Sequence, residues 1–119
     1  MQFEIAKTVP DPERVKAVCQ GVARVAGVPT TGLLVKVEMY HHGKASGSCW
    51  PRACQVFRQG QAVRVDGYIK LRFRDWEQFV RTFAHELYHL QAARMPKEPW
   101  GREKRARAFA EKVIAKVLA

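Results

Sequence analysis

Asp75-Trp76-Glu77-Gln78-Phe79-Val80-Arg81-Thr82-Phe83-Ala84-His85-Glu86-Leu87-Tyr88-His89-Leu90 is the stretch on which the reading of this chain turns. Asp75 is a helix N-cap residue. Behind it Trp76, Phe79, Val80, Phe83, Leu87 and Leu90 recur every three or four positions, the pattern of an amphipathic helix with one buried stripe. His85 and His89 lie one turn apart on a different face, with Thr82 one turn before them and Ala92-Ala93 one turn after. The two histidines are therefore expected to overlook a cleft rather than join the core. Imidazoles so placed can aim at one zinc ion, and Glu86, one step around the helix, can reach a water on that ion without being a ligand.

Working outward, Asp11-Pro12-Glu13 reads as a helix start, with Asp11 as N-cap and Pro12 at the first position. Val15, Val18, Cys19, Val22 and Val25 follow at helical spacing, and Gly27-Val28-Pro29 ends the run. Leu33 to Tyr40 is rich in strand formers, whereas His41 to Arg52 is broken by Gly and Pro and reads as a loop. Ala53–Arg58 and Gln61–Val65 read as strands joined at Gln59-Gly60. Asp66-Gly67 carries a two-residue hairpin signal and leads into Tyr68–Phe73. Beyond the histidine helix, Met95-Pro96 and Pro99 mark a short connection. A last helix from about Trp100 to Leu118 presents Ala106, Phe109, Ala110, Val113, Ile114, Val117 and Leu118 as an apolar face. The expected fold is α+β: an N-terminal helix, a twisted, mostly antiparallel sheet of three to four strands, the H-E-x-x-H helix and a C-terminal helix. All of it fits one domain spanning residues 1–119.

Composition narrows the class. A chain that is 47% hydrophobic and 27% charged can bury a core, and no apolar run is long enough for a membrane span. The N-terminal residues lack a secretory pattern, so a cytoplasmic location is expected. The net charge of +10, from 21 Lys and Arg against 11 Asp and Glu, favours an acidic partner or nucleic acid, although no readout motif accompanies it. Much of the excess falls in Arg102, Lys104, Arg105, Arg107, Lys112 and Lys116, which also fits a solvated helix face. Cys19, Cys49 and Cys54 form no C-x-x-C pair. Free thiols are expected, with Cys19 in the core, although a turn at Trp50-Pro51 would let Cys49 and Cys54 bridge. Cys49 as an inhibitory thiolate on the metal is the alternative to a structural role.

A catalytic zinc commonly takes three protein ligands and leaves one position open. Of the acidic residues after His89, Glu98 lies between prolines and Glu111 falls one residue off the apolar face. Glu103, three residues before Ala106, extends the inward face and is the expected third ligand. The segment Glu103-Lys104-Arg105-Ala106-Arg107-Ala108-Phe109-Ala110 resembles the E-x-x-A-D-x-F-A segment of gluzincin metallopeptidases, whose leading Glu is the third zinc ligand. CAAX-prenyl proteases and the small soluble minigluzincins have this layout, and the compact size here is closer to the minigluzincins. The resemblance runs from Tyr68 to about Val113 and implies a zincin-like domain. It departs from the pattern in having Arg107 where the family often has an Asp that braces a ligand histidine. The separation from His89 to Glu103 is also short. Metzincins are excluded, since Ala92 and Met95 stand where that pattern needs Gly and His.

These residues together lead to an expectation of zinc-dependent peptide hydrolysis, with His85, His89 and Glu103 on one zinc and Glu86 as general base. Tyr68–Phe73 is expected as the sheet edge on which an extended peptide or unfolded protein segment would lie. Tyr88, His41, His42 and Arg94 are candidates for stabilising the oxyanion. The competing expectation is a non-catalytic zinc module that binds nucleic acid through the basic surface. A protease of DNA-bound proteins, resembling SprT-like enzymes, would unite zinc and charge.

Overall fold

The structure, a computed structural model, describes residues 1–95 and 102–118, without the side chain of Arg102. Strands β1 (Gln2–Ile5), β2 (Leu33–Met39), β6 (Gly67–Phe73) and β3 (Gly47–Trp50) form one sheet in that spatial order. Strands β4 (Cys54–Arg58) and β5 (Gln61–Val65) form a separate two-stranded sheet. Helices α1 (Pro12–Ala26) and α2 (Trp76–Ala93) pack together, α2 lies against β3 and β6, and α3 (Arg102–Val117) packs on both helices.

The sheet is where expectation and structure part. The α+β class holds, but the main sheet is not mostly antiparallel. β1 pairs with β2 in parallel and β2 with β6 in parallel, so only the β3–β6 pairing is antiparallel. Asp66-Gly67 is not a hairpin turn. A two-residue turn of the favoured kind needs positive φ at both central residues, and neither residue adopts it. The physical reason is occupancy. β6 alternates Ile69, Leu71 and Phe73 into the core, and both of its edges are taken by β2 and β3, leaving none for β5. The positive-φ pair occurs instead at Gln59 (52°) and Gly60 (77°), where β4 turns into β5 as expected. Arg58 ties that hairpin to the main sheet, with Nη1 donating to Gln2 Oε1 at 2.9 Å.

Two strands lay hidden in the sequence. β1 is four residues at the chain start, with Phe3 and Ile5 packed against the core. β3 falls inside the stretch expected as the loop His41–Arg52, and it, not Tyr68–Phe73, is an edge of the sheet, the other being β1.

The helices follow their sequence signals closely. Asp11 caps α1, accepting from Arg14 N at 3.2 Å, and Gly27 ends it with φ 69°. Asp75 caps α2, accepting from Gln78 N at 2.8 Å. Phe79, Val80, Phe83, Leu87 and Leu90 are buried as expected, with Trp76 only partly so. Val25 and Leu118, expected on apolar stripes, are exposed. The expected turn through Pro96 and Pro99, residue Glu98 and the helix start at Trp100 lie outside the described residues. Among the described residues no helix is long and apolar enough to cross a membrane.

Candidate metal centre

Two elements deliver three donors to one point. The α2 core stripe fixes the rotation of that helix, so His85 and His89 emerge half-buried beside α3. Their Nε2 atoms are 3.1 Å apart. Ala106, Ala110 and Val113 are buried on α3, and their small side chains bring that helix close to α2. Glu103, in the first turn of α3, then spans both rings. Its Oε1 is 2.8 Å from His89 Nε2 and its Oε2 is 3.2 Å from His85 Nε2. Glu103 is not a core carboxylate as the inward face suggested. Its side chain is 64% exposed and stands on the rim of a cleft.

Donor chemistry tests whether these residues fit a cation. Ligands about 2.0–2.2 Å from a tetrahedral zinc sit about 3.3 Å from one another. The separations of 2.8, 3.1 and 3.2 Å are close to that. As a purely organic cluster the group is frustrated. If both Nε2 atoms carry protons toward Glu103, two N–H groups face each other at 3.1 Å. If one is bare, its lone pair faces a carboxylate. One cation satisfies all three donors. Burial holds the His85 imidazole below its ordinary pKa, which favours the neutral, ligating form. The charges of His89 and Arg107 act in the same direction and Glu103 opposes them. His85, His89 and Glu103 are thus a group able to hold a metal ion.

Glu86 lies beside these residues and shares their hollows without belonging to the metal-holding group. It is buried and lines hollows on both sides of the metal group. The larger, about 640 Å³, also touches Ser46, Gly47, Thr82 and Arg107; the smaller, about 340 Å³, touches Cys49 and Pro51. Burial, reinforced by the Glu103 charge, pushes the Glu86 carboxyl up to about 7. A carboxylate so placed can exchange a proton near neutrality.

The cleft wall opposite α2 is β3. A Cβ on Gly47 would stand 2.6 Å from Thr82 Cγ2 and 3.2 Å from Glu86 Cγ, so only glycine permits this approach. Sequence reading took Gly47 as a loop break; a lone glycine in a short strand at a close backbone approach was the signal available. Ser46, Arg81, Thr82 and Arg107 also border the larger hollow and were not singled out for it. Of the oxyanion candidates, His41 and His42 are exposed in the turn after β2, and Arg94 donates to Asp66 O at 3.3 Å. None of the three lines either hollow. The Tyr88 ring sits 6.2 Å from that of His89 and 5.5 Å from Phe109.

Cys49 borders the smaller hollow, but the metal-holding group does not include it. Burial, with the Glu86 charge adding to it, pushes the Cys49 thiol up to about 12. All three cysteines are free. No family model, no curated protein and no solved structure matches this chain.

Proposed function

We propose that this protein is a zinc-dependent metallopeptidase. The observation that carries the reading is the convergence of His85, His89 and Glu103 within hydrogen-bonding distances, with Glu86 beside them and an edge strand forming the cleft wall. The likeness of residues 103–110 to the gluzincin segment supports the same reading, as would a zincin-like fold. His85, His89 and Glu103 would hold a zinc ion, which would supply a Lewis acid and lower the pKa of water toward about 7. Glu86 accepts the proton of the attacking water and returns it to the departing amine. Among the described residues no strand pairs with the outer edge of β3, so an extended peptide can add to the sheet beside Glu86. An unfolded segment or short peptide fits this better than a folded surface.

Metal analysis of the pure protein tests the proposal. Wild type binds one zinc per chain, and His89→Ala and Glu103→Ala each lose affinity. Glu86→Gln keeps the metal and loses peptide hydrolysis. Wild-type activity in Glu86→Gln removes the base, and undiminished affinity in Glu103→Ala removes the third ligand.

A further inference from the structure

Glu103, Arg107 and Glu111 succeed one another at one-turn intervals down α3, and all three border the larger hollow. An arginine four residues from a glutamate on either side ordinarily pairs with one of them. Here both partners are engaged elsewhere. Glu103 spans the two imidazoles, and Glu111 Oε1 is 2.8 Å from Arg81 Nε. Arg81 is held a second time by Glu77, at 3.2 Å, so its charge is compensated. Among the described residues Arg107 makes no hydrogen bond and no ion pair. It is the cation left over in a hollow of about 640 Å³ that also reaches His85, Glu86 and strand β3.

A guanidinium presents a planar fork that matches a carboxylate in two parallel hydrogen bonds. We infer that Arg107 receives a carboxylate of the bound chain, so that the cleft selects peptides with Asp or Glu near the cleaved bond. The inference rests on the peptidase reading for its substrate class. The geometry supports it in three ways. The hollow is continuous with the position of Glu86, so a side chain entering it belongs to a residue close to the reacting carbonyl. The Arg81–Glu111 pair adds no net charge to it. The chain's net charge of +10 draws acidic peptides toward the surface before they dock.

The test uses zinc-loaded protein and peptides identical except for Glu, Gln or Lys at single positions around the cleaved bond. Wild type should prefer Glu over Gln at one position by about tenfold in kcat/KM, as a partly exposed charge-assisted contact would give. Arg107→Gln should bring that ratio close to one, and Arg107→Glu should turn the preference toward Lys. A binding arm uses zinc-loaded Glu86→Gln and the same peptides in calorimetry, where the Glu-to-Gln affinity ratio should match and should vanish when Arg107→Gln is added. A wild-type ratio near one, or a ratio that survives Arg107→Gln, overturns the inference. So does an equal loss on all three peptides, which assigns the charge to the reaction itself. Hydrolysis without acidic preference leaves the peptidase reading standing alone. Arg107-dependent binding of acidic peptides without hydrolysis by wild type leaves the anion site standing alone. Neither binding nor hydrolysis refutes both.

Discussion

Gly47→Ala reports directly on the spacing that makes the cleft. The added Cβ would meet Thr82 Cγ2 at 2.6 Å, about 1 Å inside an ordinary carbon–carbon contact. Thr82 cannot readily turn its methyl away. Its Oγ1 accepts from Gln78 Nε2 at 3.2 Å, a hydrogen bond that rotation about χ1 would break. Gln78 is itself buried and also donates to Arg72 O at 3.2 Å. Relief must therefore come from shifting β3 or α2. Overpacking of this kind costs about 1–3 kcal/mol, offset by about 0.4–1 kcal/mol from the lower entropy of an unfolded chain with alanine. The net expectation is a loss of about 1–2 kcal/mol, or about 4–8 °C in Tm for a domain of this size. Thr82→Ser removes Cγ2 and keeps the hydroxyl, leaving Glu86 Cγ at 3.2 Å as the nearest atom. The double variant should recover about 1 kcal/mol relative to the sum of the singles. Urea unfolding of the four proteins, followed by tryptophan fluorescence, measures the cycle. An unchanged midpoint for Gly47→Ala, or additivity across the cycle, would mean that β3 does not approach α2 so closely. The wall of the cleft would then be misplaced.

Four further outcomes can be measured. Zinc at about 100 times its Kd should stabilise the wild type by about 2.7 kcal/mol in thermal melts, and Glu103→Ala should lose most of that gain; equal stabilisation of both would count against Glu103. Ala110→Leu, on the buried face of α3, should cost about 1–3 kcal/mol and weaken zinc binding in a chelator competition by moving Glu103; undiminished affinity would show that the donors do not depend on helix spacing. Asp75→Asn should cost about 0.3–1 kcal/mol at neutral pH. The Asp75 carboxyl is held below its ordinary range chiefly by accepting from Gln78 N, helped by Arg74 and Arg81, so its contribution is present above the unfolded pKa and disappears as pH falls through the folded one. A gap between wild type and variant that persists in strong acid would contradict this. In peptide mapping after brief alkylation near neutral pH, Cys54 should be labelled well before Cys49 and Cys19, whose thiols burial pushes up; rapid labelling of Cys49 would contradict its environment.

The helices were legible because their signals are local. Asp11, Asp75 and Gly27 act on their own backbone neighbours, and the α2 stripe repeats often enough to fix a face. The separation of the histidines from that stripe followed from the same periodicity. The sheet was opaque for the opposite reason. Nothing within Tyr68–Phe73 says whether its neighbours are parallel or antiparallel, because pairing is decided by distant segments competing for an edge. Asp66-Gly67 carries a good local turn signal, yet β2 and β3 already fill both sides of β6. β3 is four residues containing a glycine, so its alternation is too brief to separate from a loop. Arg107 was noticed for what it replaces; its position between two committed glutamates needed coordinates.

The three donors are not held with equal security, and the difference has a consequence. The distance between His85 and His89 is set by helix geometry alone, and it survives as long as α2 is folded. The position of Glu103 depends instead on how closely α3 sits on α2, and so on Ala106, Ala110 and Val113. Packing of these small residues contributes modest apolar area, since two of the three are alanines. A cation bound by Glu103 and both imidazoles would strengthen the hold of α2 on the exposed first turn of α3. Metal binding at this group and docking of α3 would therefore reinforce each other thermodynamically: whatever loosens the helix would weaken the site, and whatever fills the site would fasten the helix.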